Sequence, residues 1–204
     1  MIPGIELTQL IQNIGLVGII LMVFLESGVP VGFIFPGDSL LITAGVLGAA
    51  GLLNIQLLII GVFIAAVLGV NAGYYIGKKY GIKMFSNEKS RFFNPRNIKH
   101  AERFYESHGG KAIVLARFIP IVRTFAPIVA GIAHMNYKKF MIFNIIGALV
   151  WAVGVTMLGY ALGNTIGADV MEKYLILIIL GVIALSFVPA IVHLVLNRRR
   201  PPVN

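Results

Sequence analysis

The chain has 204 residues, of which 58% are hydrophobic and 12% charged, with 23 glycines, no cysteine and a formal charge of +9. Soluble chains carry about 25% charged residues, and a globule of this size could not bury so much apolar surface; mean hydropathy is +0.89. The composition excludes a soluble enzyme and a disordered chain, and the missing cysteine excludes disulfides, thiolate metal sites and thiol catalysis.

Met1 to Asn13 contains no basic residue. A cleavable signal peptide needs a positive n-region, so the first apolar stretch is expected to stay in the protein. Uncharged runs cover 7–25, 39–77, 124–137, 140–168 and 174–197. One bilayer crossing takes about 20 apolar residues. The runs 7–25, 140–168 and 174–197 each fit one transmembrane helix. The run 39–77 divides at Gly45–Gly51 and leaves a span near 54–77.

Two apolar pieces remain, near 28–50 and 112–136. The first carries Pro30 and Pro36 with Asp38; the second carries Pro120 and Pro127 with Arg117 and Arg123. Proline breaks or kinks a helix. Irregular backbone at membrane depth is tolerated only where protein or a watery cavity surrounds it. Both pieces are read as re-entrant helical hairpins, with Pro30, Pro36, Pro120 and Pro127 as their breaking residues.

Basic residues set the orientation. Lys78, Lys79, Lys83, Lys89, Arg91, Arg96, Lys99, Arg103 and Lys111 crowd 78–111, Lys138 and Lys139 follow the second hairpin, and Arg198, Arg199 and Arg200 close the chain. By the positive-inside rule these are cytoplasmic, and so are both termini. Within 78–111, Asn94-Pro95 suits a helix start and Gly109-Gly110 a helix stop. Ile98, Ala101, Phe104 and Tyr105 give that helix an apolar side. It could lie on the anionic inner leaflet, or the segment could be a solvated loop that only sets topology.

Ala44-Gly45 recurs as Ala130-Gly131, Gly73-Tyr74-x-x-Gly77 as Gly159-Tyr160-x-x-Gly163, and Gly61 as Gly147, all at one offset of 86. With one crossing between the hairpins, the two copies would be upside down. Inverted repeats with broken helices are a plan of secondary transporters. The expected fold is therefore an all-α polytopic membrane protein with two re-entrant hairpins and about four transmembrane helices. It forms one membrane domain: repeat 1 near 26–77, the cytoplasmic segment 78–111, repeat 2 near 112–165, and a last helix at 174–197.

Four ionisable residues lie in or beside the hairpins: Glu26, Asp38, Arg117 and Arg123. Each costs about 2.5–3.5 kcal/mol at a membrane helix centre. Two negative and two positive charges suggest a shared polar chamber, or two plain salt bridges that fasten the hairpins. Arginine holds phosphate with a planar fork and keeps its charge. A carboxylate in a low-dielectric chamber can take up a proton near neutral pH. Together these would make a proton-coupled carrier of an anionic headgroup. Thr124, Asn71 and Asn144 could line the chamber, although interhelical hydrogen bonding is the plainer role. Trp151 and Phe140 read as packing residues. The four histidines make no metal spacing, so neither a metal nor an organic cofactor is expected, only protons.

The motifs Glu26-x-x-x-Pro30-x-x-x-x-x-Pro36-Gly37-Asp38 and Arg117-Phe118-Ile119-Pro120-x-x-Arg123-Thr124-x-x-Pro127-x-x-Ala130-Gly131 resemble those of the DedA family of bacterial inner-membrane proteins, related to the VTT-domain, or SNARE-associated Golgi protein, group. The similarity continues through Met135, Phe140, Asn144, Gly147, Ala148 and Trp151, and covers about residues 10–165. One departure is Ala116, where glycine is expected.

The resemblance implies a role in membrane lipid homeostasis. Its members are implicated in recycling undecaprenyl phosphate or in moving phosphatidylethanolamine between leaflets, and are linked to the proton motive force. The family's essential acidic pair would map to Glu26 and Asp38, and its arginine pair to Arg117 and Arg123. The expected function is a proton-coupled flippase for a phosphate-headed lipid, first undecaprenyl phosphate. A phosphatidylethanolamine flippase or scramblase, or a proton-coupled ion or drug antiporter, are the alternatives. Enzymes fit less well. There is one well-placed aspartate where an aspartyl protease needs two, no Ser-Gly-His for a lipid phosphatase, and no His-Glu-x-x-His for a zinc peptidase. The partners expected are phosphate-headed membrane lipids, with no nucleic acid, and a homodimer is compatible with this reading.

Overall fold

In the computed structural model, residues 7–29, 37–84 and 109–165 are described. These residues are helical and contain no strand. In chain order they form α1 (Leu7–Gly28), α2 (Gly37–Ala49), α3 (Ile55–Met84), α4 (Lys111–Ala116), α5 (Pro120–Ile132), α6 (Tyr137–Ala148), a π-helical turn (Leu149–Val153) and α7 (Gly154–Thr165). Pro30, Pro36, the helix expected from Asn94 and the crossing expected at 174–197 lie outside the described residues.

Among the described residues two runs are long and apolar enough to cross a bilayer, Ile55–Gly81 and Tyr137–Thr165. On α3, Leu57, Ile60, Ile64 and Leu68 are exposed at helical spacing, which gives a continuous apolar stripe suited to lipid. Helix α3 also runs on to Met84, past the expected end at Gly77. Lysine stems can lie along a helix with their charged heads in water, so Lys78 and Lys79 do not stop it. Asn136 caps α6 by accepting from the Lys139 backbone N–H at 3.2 Å, as asparagine at this position commonly does.

The chain divides into two compact units, Met1–Phe35 with Gln56–Gly154, and Pro36–Ile55 with Val155–Asn204. In the first, α1 packs on α5, and α4 packs on both α5 and α6. Its core gathers Val70, Tyr74, Ile113, Ala130, Ala133, Met135 and Phe140. The Tyr74 ring lies tilted against Phe140, centroids 4.4 Å apart, and its hydroxyl donates to the Met135 carbonyl at 2.6 Å.

The tightest crossing of this unit lies between α5 and α3. A Cβ on Gly131 would meet the carbonyl oxygen of Tyr74 and, at 2.8 Å, the backbone nitrogen of Lys78. A Cβ on Gly77 would in turn strike the carbonyl of Ile128. Only glycine lets the two backbones approach so closely. The second unit repeats this contact between α2 and α7. Gly45 faces the Thr156 carbonyl and, at 2.7 Å, the Tyr160 nitrogen, and Gly159 faces the Ile42 carbonyl. These contacts pair Gly77 with Gly159, one helical turn away from the register read in the sequence, which paired Gly73 with Gly159.

Pro127 also departs from expectation. It sits inside α5, and the helix continues through it to Ile132. A proline at this place cannot donate to the carbonyl one turn earlier. It is tolerated because its ring is buried and packs on α3, with its Cγ 3.2 Å from where a Gly73 Cβ would stand. Pro120 occupies the first turn of the same helix, where the missing N–H costs nothing.

Candidate functional site

The buried charged residues of the first unit meet where four segments converge. Glu26 comes from the last turn of α1. Arg117 lies in the turn between α4 and α5, and Arg123 in the first turns of α5. The carbonyl ends of Ala66 and Val67 come from α3, and Asn144 from α6. Glu26 is brought to this place by a close approach of α1 to α3, where Gly28 and Gly69 face each other backbone to backbone.

Glu26 and Arg123 form a buried ion pair, with side chains 0% and 2% exposed. Arg117 is equally buried, but its partners are different. Its Nη2 donates to Asn144 Oδ1 at 2.6 Å and, at 3.4 Å each, to the carbonyls of Asn144 and Ala66. All three acceptors are neutral. Arg117 Nε and Nη1 are buried with no hydrogen-bond partner among the described residues. Asn144 is fixed from its other end, donating Nδ2 to the Val67 carbonyl at 3.0 Å. It therefore serves both the plain interhelical bond and the arginine.

Both guanidiniums lie over the ring of Trp151, Arg123 at 4.4 Å and Arg117 at 5.8 Å from its centroid. Trp151 is 1% exposed and stands in the π-helical turn, a local irregularity that recurs at functional sites. Gly147, one turn earlier, leaves room for the arginine: a Cβ there would stand 2.8 Å from Arg117 Nε. Trp151 and Gly147 read in the sequence as packing and as a repeat marker. No pattern in an apolar run tells a tryptophan under two cations from one in a core.

The remaining predicted residues fall as follows. Thr124 is fully buried beside Arg123 on α5. Asn71 lies on α3 and shares a side-chain hydrogen bond with Tyr137, so its described partner is the aromatic cluster of α3 and α6. Asp38 is half-buried in the first turn of α2, in the second unit, where a negative charge suits a helix N-terminus. Among the described residues no group of His, Cys, Asp and Glu could hold a metal ion.

A VTT domain model matches residues 35–161. Protein DedA of Escherichia coli (strain K12) is 41% identical over 181 residues, which span 88% of this chain and 81% of that protein. The chain belongs to the DedA family of VTT-domain proteins. An uncharacterized membrane protein of Mycobacterium leprae (strain TN) is 39% identical over 85% of this chain and 76% of its own. Inner membrane protein YqjA of E. coli (strain K12) is 34% identical over 74% of this chain and 70% of its own. No solved structure matches the chain. Family and apolar helices together make this DedA-family chain an integral membrane protein.

Proposed function

We propose that the chain is a transporter, not an enzyme, and that it moves a phosphate-headed lipid across the bacterial cytoplasmic membrane with protons as the coupling ion. Undecaprenyl phosphate is the favoured lipid, on the family resemblance. Residues 26–77 and 112–165 would be the halves of an inverted repeat that carries two re-entrant hairpins. Both termini would face the cytoplasm.

One observation carries this reading. Among the described residues, buried Arg117 has no carboxylate partner: its hydrogen bonds go to neutral oxygens, and its Nε and Nη1 donors have no partner. Burying a charge without compensation costs several kcal/mol, about 3–5 when a partner has been removed. A merely structural arginine would be expected to find a carboxylate. An anionic headgroup supplies the missing charge and acceptors, and phosphate suits arginine's geometry. Glu26 supports the coupling. A proton placed on it would dissolve its ion pair and free the Arg123 guanidinium, 4.4 Å from the same indole, for the same anion. Asp38 would be the second acidic residue of the proton path.

Reconstituted liposomes test the proposal. Translocation of undecaprenyl phosphate and of phosphatidylethanolamine is followed with and without a pH gradient. Arg117→Ala and Arg123→Ala should abolish transport in inserted protein, and lysine at either place should fall short of arginine. Glu26→Gln should remove the dependence on the pH gradient. Full transport by either alanine variant would sink the headgroup site, and unchanged gradient dependence in Glu26→Gln would sink coupling through that residue.

A further inference from the structure

The geometry points to Trp151 as the positioning residue of the anion site, a platform that holds two like-charged guanidiniums at one place; this rests on the headgroup reading above. Arg117 and Arg123 repel each other, and the carboxylate of Glu26 is paired with Arg123. Arg117 must be restrained by something that does not cancel its charge. A carboxylate would restrain it and also compete with the substrate. Three features restrain it without a negative charge. The indole ring offers a π face to both cations, and tryptophan is the strongest of the aromatic side chains in this role. The Asn144 oxygen fixes Nη2 at 2.6 Å. The absence of a side chain at Gly147 admits the arginine stem.

The π-helical turn is what brings the ring there. It spans Leu149–Val153, with Trp151 at its middle. Within it Leu149 and Val150 are exposed, whereas Trp151 and Ala152 are buried. The consequence is specificity. Among the described residues the ionised side chains of the cluster are Arg117, Arg123 and Glu26, so the arginines are in the majority, and a headgroup with net negative charge is preferred over a neutral or zwitterionic one.

Trp151 is the chain's single tryptophan, so its emission reports on this site. The full-length protein is reconstituted, and a fluorescent short-tailed phosphatidic acid serves as the translocation probe. Wild-type emission should change saturably with unlabelled short-tailed phosphatidic acid, and less with phosphatidylcholine of the same tails. Trp151→Phe should raise KM for the probe by about three- to tenfold, and Trp151→Leu by about tenfold or more, with kcat held to within about twofold. Asn144→Asp keeps volume, gives up the Nδ2 donor to the Val67 carbonyl and hands Arg117 a carboxylate, and should raise KM as steeply as Trp151→Leu.

The order Trp, Phe, Leu in KM at constant kcat is a signature that loss of packing alone does not give. If the leucine variant does not insert, Trp151→Phe and Asn144→Asp decide the matter. Wild-type KM in both, or a fall confined to kcat, overturns the platform while leaving the headgroup reading intact. A wild-type protein that neither translocates the probe nor changes its emission with phosphatidic acid overturns both.

Discussion

The two units share a backbone contact but not a charge pattern. In the first, Gly131 on α5 faces the Tyr74–Lys78 turn of α3; in the second, Gly45 on α2 faces the Thr156–Tyr160 turn of α7. Each pair is reciprocated by a glycine against an isoleucine carbonyl, Gly77 with Ile128 and Gly159 with Ile42. Yet the buried arginines, their glutamate and their tryptophan belong to the first unit. The described residues of the second hold a single charge, Asp38, and it is half-buried. Helix packing and site chemistry are therefore separable in this protein. The crossing is a scaffold used twice, and the buried guanidiniums are an addition to one use of it.

The largest effect expected from breaking this asymmetry is at Arg123. Arg123→Ala leaves Glu26 as a buried charge stripped of its cation, a loss of about 3–5 kcal/mol. Asp38→Ala in the second unit removes a half-buried charge at a helix N-terminus, and should cost about 0.3–1 kcal/mol. Thermal unfolding of the two purified variants in one detergent checks the ratio. Near-equal losses would show that the second unit hides as much electrostatic stabilisation as the first.

An intermediate effect is expected where the units agree. Gly131→Ala and Gly45→Ala each push a methyl into a backbone hydrogen bond of the facing helix, and overpacking of this kind costs about 1–3 kcal/mol. Because the contacts match, the two losses should match, read by the same unfolding experiment. A large difference would mean that the crossings only look alike.

Much of the site was legible because charge in an apolar run is costly and so conspicuous. Glu26, Arg117 and Arg123 stand out for that reason, and the structure brings them together. Trp151 was not legible, since it lies among aliphatic residues and its neighbours come from segments 28 to 34 residues earlier in the chain. Pro127 misled for a related reason. Proline signals a break only where nothing supports the helix, and here packing on α3 supports it. The glycine spacing was legible, but the contacts that match between the two crossings lie one turn from the register read in the sequence. Gly73, Gly77 and Gly81 are spaced by four, so they share one helix face, and a match one turn out looks as good as the true one. The contacts, which also set Gly81 against Ile132 and Gly163 against Val46, choose between them.

The smallest effect sharpens the comparison within the first unit, between its polar site and its apolar core. Tyr74 belongs to the core, but its hydroxyl donates to the Met135 carbonyl at 2.6 Å. Tyr74→Phe removes that one bond and keeps the ring against Phe140. The bond itself is worth about 0.5–1.5 kcal/mol, and its loss also leaves a carbonyl without this donor. The variant should therefore unfold slightly earlier and leave the KM of transport unchanged. Asn144→Asp makes the opposite pattern, a raised KM beside the loss of the Val67 bond, because Asn144 hydrogen-bonds Arg117. If Tyr74→Phe instead raised KM, the aromatic cluster would have to be counted as part of the headgroup site, and the boundary drawn here between core and site would move from Asn144 to Tyr74.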